Sequence, residues 1–421
     1  MTTTTYSHAF LVGDFNGHVT PQQLSEKWEK VSNDDEYAWI CSMYYQGHVD
    51  AMLDVNKNRP AFLKNVCHYR FTLEKQVGDV DTIPGKNISL TRMKKNMQTE
   101  EFTYTFRLLH LHLYFFPLGI TLIAIEIDDS GTDLNELTAA HNAMMSTDIY
   151  KREELKSALS PILDFLPSND ASLILGIGNK FKLYQVIKIE SEVIENSLLY
   201  EVGTSSPIGC VGTRHQLAPS KSYYDNIMDN NVVSAFNDWK GLALMDSFTV
   251  ISNATKREDY TWDDHFYLWN NHYFQLIYLR CLFEKTFCST RNTNYRMSEE
   301  TQDISEEINK MERYYFYDKI SHNFLPNLIY KAMSLGLELK EEREELSKQV
   351  KERTKEEEEK RQNRITLGLS VFAVFSVAWD LCSIFMKAFT SDGERLPAQS
   401  LFGLSIIAIV FLAFHIYRKK K

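Results

Sequence analysis

The sequence predicts an α+β cytoplasmic domain joined by a long charged helix to a C-terminal two-helix transmembrane hairpin. Three observations carry this. Two apolar runs, ITLGLSVFAVFSVAWDLCSIFMKAF (365–389) and SLFGLSIIAIVFLAFHIY (400–417), flank the short polar segment TSDGERLPAQ (390–399). Immediately before them, KERTKEEEEKRQNR (351–364) is charged on every face. Further upstream, β-rich apolar runs are mixed with helical patterns, as in an α+β domain.

The hairpin follows from length and flanking charge. A bilayer core about 30 Å thick takes roughly 20 apolar residues as a helix, and both runs fall within the usual range. Neither run has a polar face wide enough for a soluble core helix. Arg361 and Arg364 precede the first run and Arg418 to Lys421 close the sequence, while the turn carries acids beside Lys387 and Arg395. Positive residues stay on the cytoplasmic side, so both termini are expected inside and the turn outside. The expected location is the cell inner membrane, multi-pass.

The first span carries a stripe of small and polar residues: Thr366, Ser370, Ala373, Ser376, Asp380, Ser383 and Lys387. Their spacing averages about 3.5 residues, the period of helices packed around a common axis. Asp380 matters most, because an acid at membrane depth is costly unless it faces other helices or water. A lone hairpin has no interior, so a homo-oligomer is expected, with Thr366, Ser370, Ser376, Asp380 and Ser383 lining a pore. Asp380 would then form an acidic ring favouring cations. The alternative is that Asp380 lies near the outer interface and snorkels out.

Composition bounds the rest. The chain has 421 residues, 44% of them hydrophobic, and a net charge of -10. That acidity argues against direct nucleic-acid binding, which needs basic surface, and leaves a small nucleotide ligand open. MTTTTYSHAF has neither a basic start nor an apolar core, so no signal peptide is expected. The six cysteines form no CxxC pair and show no metal spacing. Cys281 and Cys288, roughly 10 Å apart along a helix, are too distant to bridge.

Along the chain, SHAFLVGDF (7–15) reads as a first strand, Pro21 to Lys30 as a short helix, and Trp39 to Tyr45 as a second strand. Residues 50–100 read as polar and loop-rich. TYTFRLLHLHLYFF and GITLIAIEID form a hairpin about Pro117-Leu118-Gly119. His110 and His112 share a face at strand period; without a third ligand they read as a polar sheet face, and no metal site is expected. Asp128, Asp129, Asp133 and Glu136 miss the EF-hand spacing, and Asp133 with Glu136 reads as a helix-start cap.

A helix is expected at 148–159, carrying Lys151 and Arg152. ASLILGIGNKFKLYQVIKIE (171–190) reads as a hairpin about the Gly176–Lys180 turn. GTSSPIGCVGTRH (203–215) is a Gly, Ser and Thr-rich loop ending in Arg214 and His215, whose amides and hydroxyls suit an anion. Residues 221–251 read as a helix running into a strand, where Asn237, Trp239 and Lys240 offer groups for a nucleobase. Against this stands Trp239 as a core anchor. Trp262, Phe266, Trp269, Tyr273 and Leu276 recur at helical steps, so a deeply buried aromatic helix is expected over 261–287. From Ser298 the chain reads as one long helical stretch broken only at Pro326.

This architecture resembles the CorA superfamily of cation transporters: a large N-terminal domain, a charged helix, two C-terminal spans with a short outside turn, and a basic tail. The superfamily carries Gly-Met-Asn at the end of its first span, where this chain has Ile384-Phe385-Met386-Lys387-Ala388-Phe389. FFPLGITLIAIEID and FNDWKGLALMDSFTVI look more like the divergent CorA-type membrane effectors found beside type III CRISPR systems. That resemblance implies a non-enzymatic channel opened by a nucleotide second messenger, S-adenosyl methionine joined to AMP (SAM-AMP), and membrane leakage as the outcome. Under it, Arg152, Arg214, Asn237, Trp239 and Lys240 become candidate ligand groups, and no cofactor is required beyond the ligand, with a divalent cation as an option. The implied layout is a sensing domain (1–290), a helical stalk (291–364), a pore helix (365–389), an outside turn (390–399), a second span (400–417) and a basic tail (418–421). The alternatives are a constitutive divalent-cation transporter gated through acids such as Asp128 and Asp129, and a membrane-tethered enzyme acting on nucleotides.

Overall fold

Strand β1 (Thr4–Phe15) is the axis of the fold, because both of its edges are paired. The computed structural model describes residues 4–15, 20–31, 43–46, 66–72, 86–93, 99–129, 131–146, 174–175, 180–253, 266–297 and 302–389. The other strands are β2 (Glu29–Lys30), β3 (Cys67–Thr72), β4 (Lys86–Met93), β5 (Thr99–Phe115), β6 (Thr121–Asp128), β7 (Ile174–Leu175), β8 (Lys182–Ile189), β9 (Val232–Val233), β10 (Trp239–Ala243) and β11 (Ser247–Ser252). They form one mixed sheet in the order β2-β3-β5-β6-β1-β8-β11-β10-β9, with β4 on β5 and β7 on β1. Among these pairings β8 with β11 is parallel, and a parallel neighbour needs a crossover. Helices α2 (Asn196–Gly203) and α3 (Lys221–Asn230) lie within that connection.

Alternation along the central strands sends residues to two covered faces. On one face Leu11, Leu111, Leu113, Ile123 and Ile125 pack with Met144 of α1 (Leu134–Met144), and Ile187 and Ile251 pack with Leu199 and Val202 of α2. On the other, Phe10 stacks on Phe274 at 3.9 Å, and the Tyr184 hydroxyl donates to the Trp269 carbonyl at 2.6 Å.

The helix carrying those aromatics winds as a π-helix over Leu268–Tyr278 before continuing as α4 (Leu279–Met297). Trp269, Phe274 and Tyr278 all reach rings of the sheet. Their steps of five and four residues exceed the α-helical turn of about 3.6, so the wider turn keeps three large side chains on one side. The aromatic packing face expected from sequence is present, and its winding differs from the expected α-helix. Trp262 lies outside the described residues.

Several other expectations need correction. Pro21 to Lys30 holds only the 3-10 turn Pro21–Gln23 and the edge strand β2, not a helix. The supposedly loop-rich stretch 50–100 contributes strands β3 and β4. Strands β7 and β8 do not form a hairpin; Ile174 and Leu175 pair with Phe15 and Asp14, and Lys182 pairs with Val12, so both continue along the same edge of β1. The second strand expected at 39–45 falls mostly, and the helix at 148–159 wholly, outside the described residues. The stretch after Ser298 forms three helices, α5 (Gln302–Tyr314), α6 (Phe324–Gly336) and α7 (Leu339–Phe389), and Pro326 sits in the first turn of α6, where a missing N–H costs little.

The two residues between α6 and α7 make a sharp stop. Glu338 is left-handed at φ 55°, a conformation costing a non-glycine residue roughly 1–2 kcal/mol. Glu338→Gly is expected to stabilise the protein by about 0.5–1 kcal/mol after its greater unfolded-state entropy is counted, read as a higher denaturation midpoint of the detergent-solubilised chain.

The chain divides into two units, Met1–Leu346 and Ser347–Lys421. In the second, α7 runs on without a break through the charged segment and the first apolar run to Phe389. Leu369, Phe372, Val377, Trp379 and Leu381 are all exposed, Phe372 at 73%. This helix is long and apolar enough to cross a membrane. The outside turn, the second span and the basic tail lie outside the described residues.

Candidate ligand cleft

The first unit contains a cleft of about 910 Å³ built from six separate parts of the chain. Asn142, Met145 and Ser146 come from the end of α1, Gly203 and Thr204 from the end of α2, and Tyr223, Asn226, Asn230 and Asn231 from α3 and its cap. Lys180 enters just before β8, and Leu244 to Ser247 form the tight turn between β10 and β11. The last wall is the α6–α7 junction, with Gly336, Glu338 and Glu341. Gly336 is required there: a Cβ on it would lie 2.6 Å from the Ala243 backbone.

The polar lining is rich in acceptors. The Asn230 amide nitrogen donates to Asn226 (2.9 Å to its carbonyl oxygen) and that of Asn231 to the Ala243 carbonyl (2.8 Å), and each side-chain oxygen is a potential acceptor in the lining. Asp246 accepts from Lys182 Nζ at 2.7 Å and pairs with Lys180 Nζ at 3.5 Å. Burial alone would raise the Asp246 carboxyl, but these two ammonium groups hold it below its ordinary value. With Glu338 and Glu341 opposite, the cleft suits a ligand that brings hydrogen-bond donors or positive charge, and Lys180 supplies the group for an anion.

The residues proposed from sequence lie elsewhere. Trp239 is 2% exposed and packs edge-on against Trp269 at 5.1 Å, so it is a core anchor with no open face for a base. Lys240 Nζ donates to the Ile194 carbonyl and to Asn196 Oδ1, each at 2.8 Å, tying β10 to the start of α2. Asn237 and Arg214 are exposed, and Arg152 is outside the described residues. In the 203–215 loop, expected to suit an anionic ligand, two amides are taken by the chain itself: the Gly209 and Val211 N–H groups donate to the two oxygens of buried Glu201 at 2.8 Å each.

Two further expectations change. Asp129 is no metal-gating acid: it is buried, pairs with His141 Nε2 at 2.6 Å and accepts from the Tyr104 hydroxyl at 3.1 Å. The His110 and His112 pair does gain a third group. A bulge in β5 between Leu108 and Leu111 brings Glu126 of β6 beside both imidazoles, and the three ligand atoms lie within 4.8 Å of one another.

Of the stripe on the first apolar run, Thr366, Ser370, Ala373, Ser376 and Asp380 are exposed and Ser383 is partly so. The Ser370 hydroxyl donates to the Thr366 carbonyl at 2.7 Å and that of Ser383 to the Asp380 carbonyl at 2.8 Å. Bonded back onto their own helix in this way, both hydroxyls are satisfied without a partner helix.

Compared with known proteins, the chain matches no family model, no curated protein and no solved structure.

Proposed function

We propose that this chain is a homo-oligomeric, CorA-like membrane effector of type III CRISPR antiviral defence, a channel opened by the nucleotide messenger SAM-AMP at its cytoplasmic domain. One observation carries the reading. Gly336, Glu338 and Glu341 line the cleft at the start of α7, and the same unbroken helix continues into an exposed apolar run with a polar stripe. A ligand that binds this cleft more tightly in one conformation would bias the position of α7, which is all that gating requires. The acceptor-rich lining complements the sulfonium, ammonium and exocyclic amine of SAM-AMP, and Lys180 its phosphate.

In this mechanism, copies of α7 surround an axis with Thr366, Ser370, Ser376, Asp380 and Ser383 toward the pore, and both termini are cytoplasmic. The constitutive divalent-cation transporter remains the competing reading, now without Asp129 as a gating ligand.

The test is ion flux from liposomes holding the purified protein, with SAM-AMP and magnesium varied separately. Flux is expected only with SAM-AMP, and Asn230→Trp, a change at an exposed position that fills the cleft, is expected to abolish it. Flux that follows magnesium alone would overturn the proposal in favour of the transporter.

A further inference from the structure

Three histidines from two strands converge on a single carboxylate on the face of the sheet that carries Phe10. Glu126 of β6 lies opposite Phe10 of β1, so His8, two residues along, shares its face. The β5 bulge adds His110, and His112 follows at strand period. His110 Nδ1 lies 2.5 Å and His112 Nε2 2.8 Å from Glu126 Oε2, while His8 Nε2 lies 2.8 Å from Oε1. The His8 approach is off the hydrogen-bonding direction, so its buried nitrogen is near the carboxylate without being satisfied by it. A fourth imidazole stands behind: His68 Nε2 of β3 is 2.9 Å from His112 Nδ1.

We propose that His110, His112 and Glu126 form a binding site for one transition-metal dication of the zinc type, with His8 against the second oxygen of Glu126 and His68 as the residue that orients His112. This inference is independent of the channel reading. The donor set decides the class of metal: two imidazole nitrogens and one carboxylate suit zinc and its neighbours, whereas magnesium and calcium take oxygen ligands. Three protein ligands leave the fourth position of a tetrahedral site open.

The ligating forms of these groups are the neutral imidazole and the ionised carboxylate. When His112 Nε2 ligates the ion, its proton resides on Nδ1 and is donated to His68 Nε2, the outer-ligand contact that fixes a metal-bound imidazole.

Metal–ligand bonds of about 2.0–2.1 Å place tetrahedral ligand atoms about 3.3 Å apart. The present contacts of 2.5 to 2.8 Å are tighter, so an ion would spread them by about half an ångström. His110, with 24% of its side chain exposed, provides the open side for access.

The experiment strips the detergent-purified full-length chain with chelator and titrates it with zinc or cobalt(II). One equivalent per chain is expected, with the intense visible bands of tetrahedral cobalt and no competition from excess magnesium. Glu126→Gln and His110→Ala should each weaken binding at least tenfold, and His68→Phe about tenfold. His110→Ala, at the most exposed ligand, carries the test if Glu126→Gln fails to fold. A featureless cobalt spectrum, or zinc binding equal in the wild type and His110→Ala, would overturn the proposal.

Discussion

Glu284→Ala is expected to cost the first unit about 3–5 kcal/mol, the usual penalty for stranding buried charge. Glu284 of α4 is fully buried between two guanidinium groups. Arg280 Nε donates to its Oε1 at 3.4 Å, and Arg343 of α7 donates to its Oε2. Arg343 also reaches the Tyr330 hydroxyl of α6 at 3.1 Å, and Arg280 the Tyr315 carbonyl at 2.6 Å. One residue on, Lys285 Nζ donates to the Leu337 carbonyl at 2.8 Å and pairs with Glu342 at 3.2 Å. This cluster clasps the base of α7 to α4, so removing its one central acid leaves two cations facing each other in low dielectric. Chemical denaturation of the full chain in detergent measures the loss; a shift below about 1 kcal/mol would mean water reaches the site and screens both arginines.

Asp380→Asn is the second large effect, and it is read in selectivity rather than stability. Under the proposed assembly, one acid per copy repeats around the axis, and its removal takes away the only formal charge between Ile365 and Met386. The cation-over-anion permeability ratio in SAM-AMP-treated liposomes should fall about tenfold, equivalent to about 1.4 kcal/mol. Asp380 is exposed on an otherwise apolar stretch of α7, and no other described residue neutralises it in an ion pair. An unchanged ratio would move Asp380 out of the permeation path and toward the outer interface.

How much of this was legible depended on how local the determinant is. The Pro117–Gly119 turn, the Asp133 cap accepting from the Asn135 N–H at 2.9 Å, and the first apolar span are each specified within a few residues. Strand β3 was missed although CHYRFT alternates, with Cys67, Tyr69 and Phe71 packed against the core, because six residues inside a long polar stretch make a weak signal. The collinear β7 and β8 were read as a hairpin because a glycine-rich interruption looks the same whether the chain reverses or resumes along the same edge.

Sites assembled across the fold were harder still. The cleft draws on segments from Asn142 to Glu341, and none of them carries a motif alone. His110 and His112 were visible as a pair, but Glu126 comes from the next strand and the bulge that aligns it has no sequence mark. Trp239 and Lys240 are neighbours in sequence and point opposite ways in a strand, one into the core and one to the start of α2.

The Glu201 arrangement has a consequence for what the 203–215 loop can recognise. A carboxylate tethered eight and ten residues from its donors acts on them at an effective concentration on the order of millimolar or more. A solute phosphate or carboxylate would have to displace it and leave a buried acid without partners, so the loop behaves as a receptor already filled by its own chain. Its amides are thereby closed to dissolved anions, and under the proposed function selectivity for a messenger must be exercised where no side chain has claimed the donors first.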